Sequence, residues 1–65
     1  MDLTEQTKKA LENGYMTAIA KIFNVLIEGM ALNDDAAALS SFRRGIGLAN
    51  RAYHEAMAAA GLKQD

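Results

Sequence analysis

The sequence predicts an all-α fold: an antiparallel hairpin of two long helices, assembling as a homodimeric four-helix bundle. Three observations carry that expectation. Apolar residues recur at steps of three and four along two long segments, and the chain contains no proline. A short polar run, Leu32-Asn33-Asp34-Asp35, separates the segments. The first segment carries two apolar seams side by side, more than a single partner helix can cover.

The first helix is expected over about 3–31. Asp2 with Glu5 has capping-box spacing, and Thr4 is a competing cap. Glu5 and Lys9 form a favourable i,i+4 pair. One seam comprises Leu11, Tyr15, Ala18, Ile22, Val25, Gly29 and Leu32; the other comprises Met16, Ile19, Phe23, Leu26 and Met30. Asn13-Gly14 is the weak point, because that dipeptide often marks a turn. The seam runs unbroken across it, which favours one continuous helix over a short first helix and a three-helix plan.

The turn is expected at 32–35. Asn33 suits the left-handed position that ends a helix, and Asp34 or Asp35 suits the start of the next, where negative charge meets the positive end of the dipole. So short a connection makes the two helices antiparallel neighbours.

The second helix is expected over about 36–60, with a seam of Leu39, Phe42, Ile46, Ala49, Tyr53, Ala56 and Ala60. A flank of small residues, Ala38, Gly45, Ala52 and Ala59, permits close backbone approach. Gly61 marks the stop, with Leu62 folding back onto Met57 and a frayed tail to residue 65. The 3.5-residue spacing of both seams predicts left-handed, coiled-coil-like packing.

Length and composition bound the function. At 65 residues the chain is a single domain. Ordering it costs on the order of 100 kcal/mol, which a core this small barely offsets. Small domains therefore add a staple. There are no cysteines, so disulfides and thiolate metal sites are excluded, and one histidine, His54, makes no ligand cluster of the usual kind. Oligomerisation is the remaining staple. The residues expected to form the oligomer interface are Ile19, Ile22, Phe23, Leu26 and Met30, with Phe42 and Ile46 facing them.

No cofactor, metal or small-molecule substrate is expected, and neither is catalysis. His54 has no nucleophile held against it, and Ser40 and Ser41 lie about 20 Å away along the same helix. Asp34 and Asp35 are explained by capping. Residues 18–32 are too short and, with Lys21, Asn24 and Glu28, too polar to span a bilayer. Met1 to Glu5 lacks the basic start and apolar run of a secretory signal, so a cytoplasmic setting is the expectation.

The second helix has a basic outer stripe. Arg44, Gly47, Arg51 and His54 share one line, with Arg43 and Asn50 beside it, and this segment holds three arginines against one acid, Glu55. Gly47 has no visible packing reason on this polar side, so a partner approaching there would supply one. Arg43, Arg44, Gly47, Asn50 and Arg51 are accordingly the candidate surface for a partner or a nucleic acid, although a solvated face is the simpler account. In length and hairpin plan the chain resembles the small RNA-binding dimers of the Rop type, a likeness of architecture with no motif matched residue by residue. That likeness carries no function by itself; a dimer would present two basic stripes to the phosphates of RNA. The aromatic residues all lie on seams, where they cannot stack on bases.

The leading expectation is a non-catalytic protein–protein interaction module: a small adaptor, regulator, chaperone or inhibitor acting on a second copy or a larger protein. The alternatives are nucleic-acid binding through the basic stripe and peripheral membrane association through residues 16–32. The last is weakened by having Lys21 as the one cation there.

Overall fold

The computed structural model describes residues 3–62. Asp2, expected to cap the first helix, and the tail at 63–65 lie outside the described residues. Two helices form a hairpin, α1 over Leu3–Ala31 and α2 over Asp35–Ala59. Thr4 lies within α1, and the helix runs without interruption through Asn13 and Gly14.

Both helices stop in the same way. At the end of α1, Asn33 takes a left-handed φ of 61°. Its N–H donates to the Met30 carbonyl at 3.0 Å, and the Asp34 N–H donates to the Gly29 carbonyl at 3.0 Å. At the end of α2, Gly61 has a φ of 75°, its N–H donates to the Ala58 carbonyl at 3.0 Å, and the Leu62 N–H donates to the Met57 carbonyl at 2.8 Å. These are two Schellman motifs, each satisfying carbonyls that a helix end leaves unpaired. The hydrophobic contact that usually accompanies the motif fits the second case, because Leu62 and Met57 are both buried. The start of α2 departs from expectation in one detail. Asp34 occupies the cap position, yet its side chain makes no capping bond; its backbone carbonyl accepts from the Ala38 N–H at 2.9 Å.

The helices run antiparallel, as their contacts require. Tyr15 and Tyr53 have ring centroids 5.0 Å apart near one end, Gly45 sits against Ile22 in the middle, and Gly29 sits against Ala38 near the turn. The stripe that α1 turns toward α2 is Leu11, Tyr15, Ala18, Ile22, Leu26 and Gly29, all buried or half-buried. The matching stripe on α2 is Ala38, Phe42, Gly45, Ala49, Tyr53 and Ala56. Each advances by steps of four, three, four, four and three. Both keep helical spacing throughout, and α1 departs from the expected first seam at one position.

The difference corrects the expected seam. Leu26, from the second seam, takes the packed place expected of Val25, while Ile22 before it and Gly29 after it stay on the first. Val25, expected on the first seam, is 59% exposed, whereas Leu26 of the second is 9% exposed.

Leu26, Met57 and Leu62 are the buried hydrophobic residues among those described, and no described side chain is fully enclosed. The radius of gyration is 14.6 Å, against about 11 Å for a compact chain of this length. The hairpin is a slab of 48 × 18 × 15 Å with two broad sides and almost no interior.

Candidate interaction surface

The two broad sides differ because α1 and α2 distribute large and small residues unequally around the shared stripe. At about 100° per residue, Met16, Ile19, Phe23, Ile27 and Met30 fall on one side of the α1 stripe. Leu39, Arg43, Ile46 and Asn50 fall on the same side of α2. This is the bulky side. Met16 is 60% exposed, Phe23 52%, Ile27 48% and Met30 40%, so a row of long apolar side chains stands in water along about half of α1. Contiguous apolar rows of this kind mark association surfaces, unlike single exposed leucines.

The opposite side is a furrow. Its upper part is lined by Ala10, Gly14, Ala18, Ala49, Ala52 and Ala56, and its lower part by Lys21, Val25, Ser41 and Gly45. The stretch near the tyrosines encloses about 250 Å³. That falls below the usual range of small-molecule sites, and the lining offers few polar groups to orient a ligand.

The residues expected to form an oligomer interface divide into three groups. Ile22, Leu26 and Phe42 belong to the hairpin's own stripe, where they hold α1 against α2. Ile19 and Ile46 are half-buried at its edge. Phe23 and Met30 stand exposed on the bulky side. Met16 and Ile27 join them there. Ile27 belongs to neither seam, and the signal that locates it is angular position on a 3.6-residue helix rather than membership of a heptad.

Of the expected partner surface, Arg43, Arg44, Gly47, Asn50 and Arg51 are all exposed. They do not form one uniform basic stripe. Asn50 accepts a hydrogen bond from the Tyr15 hydroxyl at 2.5 Å, which ties α2 to α1 across the bulky side. Arg51 pairs with Glu55 at 3.7 Å, with both side chains about three-quarters exposed. Such a pair contributes at most a few tenths of a kcal/mol, but it offsets one of the three positive charges. A Cβ built on Gly47 would meet nothing within 4 Å, so no packing within the hairpin demands glycine there. His54 stacks edge-on against Tyr53 at a centroid distance of 6.1 Å.

Among the described residues, no group of three or more histidine, cysteine or carboxylate side chains is placed to hold a metal ion. No described helix is long and apolar enough to cross a membrane. No protein-family model, curated protein or solved structure matches this chain.

Proposed function

We propose that this chain is a non-catalytic interaction module that acts by helix–helix packing, with a homodimeric four-helix bundle as its basic assembly. The observation that carries this reading is the exposed row Met16, Phe23, Ile27 and Met30, set on a hairpin in which no described side chain is fully enclosed. A chain that cannot bury its apolar residues internally gains most of its stability by burying them against another surface. In that role it would serve as a small adaptor, regulator or inhibitor, presenting Arg43 and Arg44 at the border of the packed face to select among partners by charge.

Nucleic-acid binding has weaker support, because Glu55 offsets Arg51 and the tyrosines and Phe42 are engaged in the hairpin. Sedimentation equilibrium over a wide concentration range, with helicity followed by circular dichroism, tests the reading. The expected result is a mass that rises to twice 7.0 kDa as helicity rises. A fully helical monomer at every concentration would refute it.

A further inference from the structure

Resting on that reading, we propose that the partner of the bulky side is a second copy of the chain, packed with α1 antiparallel on α1 about a two-fold axis that passes beside Phe23. Two independent observations lead there. The first is area. The chain exposes 5028 Å², whereas a compact monomer of this mass exposes roughly 4,000 Å². The surplus of about 1,000 Å² is close to the roughly 800 Å² that each partner contributes to a standard-sized interface.

The second observation is the order of residues along the row. In an isologous contact every residue meets its own image or exchanges places with another. When two copies of a helix cross antiparallel, a position a given distance before the axis therefore opposes the position the same distance after it. Met16 lies seven residues before Phe23 and Met30 seven after; Ile19 lies four before and Ile27 four after. The row thus reads methionine, isoleucine, phenylalanine, isoleucine, methionine in either direction. Pairing about Phe23 sets thioether against thioether, branched aliphatic against branched aliphatic, and the two rings against each other. The side chains are alike in size at each opposed position, so the contact closes without voids or overlap. A parallel arrangement of the hairpins makes no use of this symmetry, because it sets α1 over α2 of the other copy.

The chain has no cysteine, so single cysteines report the register without background. Three variants, Phe23→Cys, Met16→Cys and Met30→Cys, are purified, checked for helicity, and oxidised under mild conditions alone and in pairs. A disulfide needs Cα atoms within about 7 Å. Antiparallel pairing at Phe23 predicts that Phe23→Cys links to itself. It also predicts that Met16→Cys mixed with Met30→Cys gives several-fold more covalent dimer than either alone, since like positions are then about 21 Å apart along the axis. Self-linking of Met16→Cys or Met30→Cys would overturn the antiparallel register. A dimeric mass with none of these links would overturn the pairing of α1 on α1. A monomeric mass at every concentration would instead remove the association reading on which the register depends.

Discussion

At the scale of single residues, three glycines stand in three different settings, and replacement by alanine should be costly at two of them and favourable at the third. A Cβ built on Gly29 would lie 2.5 Å from the Ala38 Cβ, a distance that cannot persist. Gly29→Ala must push the helices apart near the turn, and urea denaturation should register a loss of about 1–3 kcal/mol, reduced by alanine's better helix propensity. Gly61 sits at a φ of 75° in open space, so strain alone opposes the substitution there. Gly61→Ala should cost about 1 kcal/mol. Gly47 is helical and unobstructed, and Gly47→Ala should stabilise the fold by up to about 1 kcal/mol. If that variant instead lost stability, a neighbour outside the hairpin would be pressing on the site.

At the scale of the helix, the decisive quantity is the angle between successive residues. Leu26→Ala should cost about 2 kcal/mol or more, because it removes one of the few buried side chains. Val25→Ala, one position away, should change stability by less than about 0.5 kcal/mol. Equal effects at the two sites would mean that Leu26 does not take the place of Val25 in the packed stripe. This same angle divides what was legible in the sequence from what was not. The stops at Asn33 and Gly61 could be read directly, since a left-handed residue at a helix end is a local matter of backbone sterics and terminal hydrogen bonds. The hairpin plan followed from those stops and the short turn. The exchange of Val25 for Leu26 was not legible, because at about 100° per residue the two flank the stripe at similar angles and spacing does not choose between them. Nor was the Tyr15–Asn50 hydrogen bond, which depends on the register between helices rather than on spacing within one. On the candidate surface, the apolar row was visible as a surplus seam, but Ile27 was hidden by the assumption of heptads.

At the scale of the whole molecule, stability and concentration are coupled. A bundle closed by a second copy should melt at a temperature that rises by several degrees for an about tenfold rise in chain concentration, which thermal scans followed by circular dichroism would detect. A charge on the bulky side should break that dependence. Phe23→Glu is expected to leave a poorly helical monomer, whereas Val25→Glu, on the furrow side, should retain the dimeric mass. Loss of the dimer in both variants would mean that the two sides contribute together.

The furrow has a consequence of a different kind, concerning how far association runs. A side that matches itself ends an assembly at two copies. A side that fits the reverse of its neighbour repeats without end and builds a fibre. This hairpin carries large side chains on one side and a shallow trough on the other, the two ingredients of such a chain of copies. Pairing of the bulky side with its own image would leave neither row free to enter a neighbour's trough, and would end the assembly at two copies.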